Sequence, residues 1–383
     1  MKRPPKIMII AGEASADVYG GLLAVEIRRL SPGAELFGFG GGGMARAGVR
    51  IHYPLVDLAV IGFLDVFRHF RTFFGLLRMS RELLETQRPD AVVLLDYPGF
   101  NLRVAAQAKK LGIPVVYYIS PQVWAWRPGR IHRIAELVTK MLVVLPFEVA
   151  LYKKVGCPVE FVGHPLLDVL RGVKKAKKPN NRRALVALLP GSRLAEVNRL
   201  LPTMLQVAER LAAYEPADFF LPLAPTISRD VVDRYLRGAK VFVKVVTRDA
   251  MAMRKTSDFA LVASGTATLE TGLMRVPMVI LYRVARVNYW LAWLLVQVDR
   301  IGLVNFVAGK KIVPEFIQHD CRVDLVLPQA LALLQQTGQR RQMKRDLARM
   351  SRTLGYSESG DPGNSPSRRA ARAVLKVVKD VTG

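Results

Sequence analysis

Short apolar runs recur along the chain, and each is followed by a stretch of helix length. In the first half the strand candidates are Ile7–Ile10, Leu36–Gly38, Ala91–Leu95, Val115–Ile119, Met141–Leu145 and Val159–Val162. Between them lie segments such as Ala16–Leu30 and Leu102–Lys110. Near-continuous apolar strands alternating with helices mark βαβ units in a parallel sheet, whose strands are covered on both faces. The rhythm pauses at Arg171–Arg183, a basic stretch containing Pro179-Asn180-Asn181 that reads as a linker. It resumes with Leu185–Leu189, Phe219–Pro222, Val241–Val245, Phe259–Val262 and Pro277–Leu281. Ser357–Ser367 is rich in Gly, Pro and Ser and reads as a loop before a final helix, Arg368–Val381. The expected architecture is α/β, with two Rossmann-like doubly wound domains, 1–170 and 184–355, facing each other across a cleft. Residues 356–383 would pack back on the first domain.

Length and composition agree with this division. At 383 residues and 51% apolar content the chain has enough for two cores. Lys and Arg outnumber Asp and Glu by 57 to 31, a net charge of +26. That excess favours anionic partners: a nucleotide, a phospholipid surface or a nucleic acid. The charge is dispersed and no RNP, zinc-finger or helix-turn-helix pattern is present, which argues against nucleic acid. Cys157 and Cys321 have no CxxC or CxxH neighbour, so neither a disulfide framework nor a zinc site is expected, and a reducing cytoplasm fits. Glu13 and Asp17 interrupt the apolar start at Ile7–Gly12, making it a first strand rather than a signal peptide. The run Val287–Val298 falls short of the roughly 20 residues that span a bilayer.

Two loops carry the clearest chemistry. Leu188-Leu189-Pro190-Gly191-Ser192-Arg193, followed by Glu196, and Ala263-Ser264-Gly265-Thr266-Ala267-Thr268-Leu269-Glu270 each join an apolar strand to a helix. Such a junction aims backbone N–H groups and a helix dipole at a phosphate. Glu270, one turn into its helix, suits the hydroxyls of a ribose. Together the loops imply a nucleotide diphosphate at the top of one sheet. In the first half, Ala11–Asp17 is no GxGxxG fingerprint. Gly38–Gly43 fits either a flexible turn or a close approach to a ligand, and neither loop continues as a Walker A motif. Asp96 ends a buried strand and fits either a general base or a helix N-cap. Trp124 and Trp126, with Arg127, would line a sugar or acyl pocket or pack between domains. His164 fits a ligand site or a satisfied structural histidine. Phe63, Phe67, Phe70 and Phe74 recur at helical spacing, Leu77 extends the stripe, and Arg68, Arg71 and Arg78 lie among them. That pattern fits a surface resting in anionic headgroups or a face packed on the core.

Taken in order, AGEASAD at Ala11–Asp17, LLDYPGFN at Leu94–Asn101, ISPQVWAWR at Ile119–Arg127, LPFE at Leu145–Glu148, Gly163-His164, LLPGSR at Leu188–Arg193, ASGTATLE at Ala263–Glu270 and NFVAG at Asn305–Gly309 resemble the bacterial lipid-A-disaccharide synthase family over nearly the whole chain. The resemblance implies a GT-B fold and an inverting glycosyltransferase that condenses UDP-2,3-diacylglucosamine with 2,3-diacylglucosamine 1-phosphate (lipid X). No cofactor and no bound metal are implied, and the chain contains no Asp-x-Asp. The resemblance assigns Asp96 as the catalytic carboxylate and Arg193 to the UDP diphosphate. It puts Ser264, Gly265 and Thr266, with Gly191 and Ser192, near the phosphates, Glu270 at the ribose, and Asn305 at the donor site. Glu13, Ser15, Asp17 and His164 would line the cleft, and Phe67–Phe74 would face the membrane. A cytoplasmic enzyme resting on the inner membrane, with no nucleic-acid partner and a possible homodimer sharing C-terminal parts, completes the expectation. Other GT-B transferases with lipid-linked acceptors, and UDP-sugar epimerases, share the fold. Two positions depart from the family pattern: a second carboxylate three residues after Asp96 is Gly99, and the proline before Asn305 is Val304.

Overall fold

The computed structural model describes residues 3–56, 70–124, 129–178, 183–284, 300–355 and 364–382. The chain divides into two compact units, Met1–Asp168 with Ser357–Gly383, and Val169–Tyr356.

The first unit holds a seven-stranded sheet. Its strands are β1 (Lys6–Ala11), β2 (Glu35–Phe39), β3 (Arg50–Tyr53), β4 (Ala91–Leu95), β5 (Val115–Tyr118), β6 (Lys140–Val143) and β7 (Val159–Phe161), in the spatial order β3-β2-β1-β4-β5-β6-β7. All pairs are parallel. β1, β4 and β5 are buried on both faces, which is why they read as unbroken apolar runs. β3 is an edge strand, Arg-Ile-His-Tyr, with alternating exposure, and offers no such run. The order reverses between β1 and β4, where Ala11 pairs with Leu95. In a doubly wound sheet ligands bind beyond the strand ends at this switch. Residues Gly12–Asp17 and Asp96–Asn101 emerge there.

The C-terminal helix Pro366–Thr382 belongs to this unit and packs on the helix Ala14–Leu30 and on β4, β5 and β6. Asp168 fixes its start by accepting the Ser367 N–H at 2.8 Å, and Arg369 donates to the Val162 carbonyl at 2.8 Å.

The second unit holds six parallel strands: β8 (Ala184–Leu189), β9 (Ala217–Pro222), β10 (Val243–Val246), β11 (Phe259–Ala263), β12 (Met278–Tyr282) and β13 (Glu315–Ile317), in the order β10-β9-β8-β11-β12-β13. Its switch lies between β8 and β11. Those strands lead into the Gly191 and Gly265 loops. β10 starts later than its apolar run, because Phe242 is left exposed. The basic stretch after Arg171 is no free linker in its described part. Lys178 pairs with Asp258 at 2.6 Å, and Lys255 donates to the Val173 carbonyl at 2.6 Å. Residues 179–182 and 285–299, with the apolar run Val287–Val298, lie outside the described residues.

Candidate functional site

Asp96 and Tyr97 both adopt left-handed backbone angles, with φ of 47° and 44°. Each such non-glycine residue costs about 1–2 kcal/mol. The bend survives because the Asp96 carbonyl is held twice, by Asn101 Nδ2 at 2.7 Å and by Tyr117 Oη at 2.6 Å. Gly12 leaves room for the Tyr97 ring, which would strike any Cβ there. The result turns the Asp96 side chain off the end of β4. Burial, followed by repulsion from Glu13 and opposed by the Tyr97 N–H, pushes its carboxyl up to about 7. A carboxylate held there is poised to take a proton at neutral pH. It caps no helix through its side chain, since the N-cap of Pro98–Lys110 is Tyr97. Of the sequence readings, the helix-cap role is therefore excluded.

Glu13 is the N-cap of the helix Ala14–Leu30, and Ser15 sits half-buried in its first turn. Asp17 lies deeper. Its Oδ1 accepts the Gly41 and Met44 N–H groups at 2.7 and 3.1 Å, and its Oδ2 accepts that of Gly43 at 2.6 Å. Asp17 thereby holds the Gly-rich loop, whose backbone closes around a carboxylate of its own chain. His164 is buried; its Nδ1 accepts the Leu166 N–H at 3.2 Å, and its ring stands edge-on to Tyr19 at 5.9 Å. Burial lowers its pKa to about 4, so it is neutral at pH 7 with its proton on Nε2.

Trp124 is half-buried and donates through Nε1 to Glu148 at 3.3 Å. Glu148 also accepts the Leu145 N–H at 3.2 Å, and burial pushes its carboxyl up to about 8. Sequence reasoning noted Glu148 only inside a motif. Trp126 and Arg127 lie outside the described residues, as do Phe63, Phe67 and Arg68. Phe70 opens the helix Phe70–Gln87. Along that helix Leu76 and Leu77 are buried in the core, so the apolar stripe does not continue to Leu77. Phe74 is 51% exposed, and Arg71 and Arg78 are exposed beside it, at i−3 and i+4.

In the second unit Gly191 has φ 112°, and a Cβ there would collide with the Glu196 carboxylate. Glu196 Oε2 accepts the Ser192 and Arg193 N–H groups at 3.1 and 3.3 Å, while Oε1 meets Arg193 Nη1 at 3.2 Å. The amides expected to cradle a phosphate are thus occupied by this chain's own carboxylate. The Arg193 side chain is 77% exposed and meets only Glu196 among the described contacts of the loop. The second loop is more open. Ser264 Oγ donates to the Ile301 carbonyl at 2.9 Å, and Gly265, at φ 148°, starts the helix Thr266–Leu273 with Thr266 exposed. The Thr268 N–H is taken by the Gly265 carbonyl at 3.1 Å, which leaves the first two amides of the helix for an anion. Glu270 is held by Arg254 Nη2 at 2.8 Å, a partner the sequence did not reveal.

Asn305 is fully buried, and its amide is saturated. Nδ2 donates to the Val313 carbonyl and Glu315 Oε1, both at 2.8 Å; Oδ1 accepts the Ile312 and Val313 N–H groups at 2.9 and 3.0 Å. It braces the segment that leads into β13. Asn305→Ala is expected to cost roughly 3 kcal/mol, because buried partners lose their bonds. Chemical denaturation measures this; a loss below about 1 kcal/mol would return Asn305 to the ligand side.

Two all-parallel doubly wound units, each with its loops at the strand-order switch, define the GT-B fold of sugar-nucleotide enzymes. A calicheamicin glycosyltransferase matches at a TM-score of 0.65 with 13% identity over 100% of both chains. A UDP-N-acetylglucosamine 2-epimerase matches at 0.65 with 11% identity, over 98% of this chain and 96% of the other. The family model for lipid-A-disaccharide synthetase matches residues 7–360. The lipid-A-disaccharide synthase of Nitrosococcus oceani is 40% identical over 363 residues, 92% of each chain. The chain belongs to the lipid-A-disaccharide synthase family, and is a glycosyltransferase with a nucleotide-sugar donor and a lipid acceptor.

Proposed function

We propose that the chain transfers the diacylglucosaminyl group of UDP-2,3-diacylglucosamine to O6 of 2,3-diacylglucosamine 1-phosphate, giving the β-1′,6-linked disaccharide 1-phosphate and UDP. The observation that carries this reading is the Asp96 carboxyl, fixed off the end of β4 and held at about 7. Asp96 takes the O6 proton as O6 bonds to the anomeric carbon. The bond from that carbon to the UDP oxygen breaks on the opposite face, so the configuration inverts. Arg193, the Ser264–Thr266 loop and the first-turn amides of Thr266–Leu273 offset the charge gathering on UDP. The free oxygen of Glu270 receives a ribose hydroxyl, and Arg254 holds that carboxylate in place. Glu13, through its charge, stands in for the acid absent at Gly99.

We place the enzyme in the cytoplasm, resting on the anionic inner membrane. Among the described residues no helix is long and apolar enough to cross a membrane. The face Arg71-Phe74-Arg78 supplies an aromatic flanked by cations, which suits headgroups. Phe74→Ser with Arg71→Glu is expected to reduce sedimentation with anionic vesicles by about thirty-fold without lowering the melting temperature, since each charge near the surface is worth about 1 kcal/mol and the Arg71 change shifts the charge by two. Unchanged sedimentation would remove this face from the membrane. Exchange of the C-terminal helix between two copies would keep the Asp168 and Arg369 contacts, which makes a homodimer part of the reading.

The decisive experiment is a mass-spectrometric assay with both substrates in detergent micelles. Disaccharide 1-phosphate that depends on both substrates and persists in EDTA supports the reading. UDP binding without disaccharide would transfer the fold to another lipid-linked acceptor.

A further inference from the structure

Where β11 and β12 begin, at the opposite end of the second sheet from the Gly191 and Gly265 loops, lies a cavity of roughly 940 Å³. It is framed by residues 175–178, the end of the helix Ala250–Thr256, the approach to β11, the turn at 274–276 and one face of the helix Thr337–Thr353. Among the described residues, seven Lys and Arg side chains line it, against one carboxylate, Asp258. Asp258 is already engaged by Lys178 at 2.6 Å and by the Leu185 N–H at 2.9 Å.

The remaining cations are concentrated rather than spread. Arg341, Lys344 and Arg345 occupy i, i+3 and i+4 of one helix face, an arrangement that destabilises a helix carrying like charges. Burial, then Arg340, Lys175 and Lys178, hold the Lys344 ammonium below its ordinary range, with only Asp258 opposing. A concave wall of one sign focuses potential into the space it encloses. The volume is also large enough for a small polyanion. This cavity is separate from the donor loops. Five residues of β11 stand between Asp258 and Ser264, about 16 Å of strand.

We propose that this cavity is a second anion site, which binds a phosphate-bearing ligand away from the sugar-nucleotide loops. Lys175, Lys344 and Arg345 supply charge-assisted hydrogen bonds to the phosphate oxygens, and the bound anion relieves the repulsion among them. The phosphate belongs either to a soluble compound or to a lipid headgroup, and the two sources are separable.

Pyrophosphate is titrated calorimetrically into the full chain and into Lys344→Glu/Arg345→Glu, with UDP titrated in parallel. The variant is expected to bind pyrophosphate at least about ten-fold more weakly, since it removes two charged contacts and the loss of one alone is worth about that much. UDP affinity should change less than about two-fold, since the loops lie beyond the Debye length of about 10 Å. Unchanged pyrophosphate binding with a comparable loss of sedimentation on phosphatidic acid vesicles, relative to phosphatidylcholine vesicles, would assign the phosphate to a headgroup. No change in either measurement overturns the proposal. An equal loss of pyrophosphate and UDP binding also overturns it, because both anions would then share the donor loops. Relief of repulsion is expected to keep the variant folded; should it unfold, Lys344→Gln/Arg345→Gln gives the same readout with a smaller drop.

Discussion

Asp96→Asn is expected to lower turnover by about 10²–10⁴-fold, the usual worth of a positioned base, while UDP affinity stays within about two-fold. The variant keeps the bend, because asparagine tolerates the left-handed backbone as well as aspartate does. It should also be more stable than the parent at alkaline pH. Burial and Glu13 raise the folded carboxyl from 3.8 to about 7, so the native chain holds a proton that the unfolded chain releases. The group therefore favours folding fully below its unfolded value, and that contribution is lost as pH rises through about 7. Asparagine does not ionise. The melting temperature of the variant should exceed the parent's at pH 8, with the gap closing toward pH 5. In the parent, kcat/KM should rise with pH up to about 7 and then level off. Glu13→Gln should shift that limb to lower pH. An active Asp96→Asn, or one that fails to fold, removes Asp96 as the base.

Arg193→Ala is expected to weaken UDP binding by about 10–100-fold, the loss of a charge-assisted contact of about 1.5–3 kcal/mol. Its side chain is 77% exposed and its partner is Glu196, so folding should change by less than about 1 kcal/mol. The effect should appear in KM as well as in turnover, because the diphosphate is bound in the ground state and gains charge as it leaves. Calorimetry with UDP measures it. Unchanged affinity would show that the Ser264–Thr266 loop holds the diphosphate without help from the first loop.

Chain pattern alone defines the central strands and therefore the fold class. β1, β4, β8 and β11 are buried on both faces, so their apolar runs are unbroken and legible. Their succession with helices dictates parallel sheets, and the small-residue loops at Gly191 and Gly265 follow from the same rhythm. The edge strands β3 and β13 escape that reading because half-exposed strands carry no continuous run.

Tertiary structure decides what the polar residues do. Asp17 and Asn305 look like ligand groups in sequence, yet folding brings backbone amides to each, and Glu196, which carries no assigned role in sequence, takes the amides of the Gly191 loop. Tyr117 lies 21 residues from Asp96, and Arg254 lies 16 before Glu270, yet parallel pairing and helix packing make them partners. The raised pKa of Asp96 has the same origin. Burial and the charge of Glu13, distant in sequence but adjacent at the switch between β1 and β4, set it. Local pattern encodes which residues are buried, because burial repeats with the period of a strand or helix. Charge and hydrogen bonding depend on which distant segments meet, and only the assembled sheets determine that.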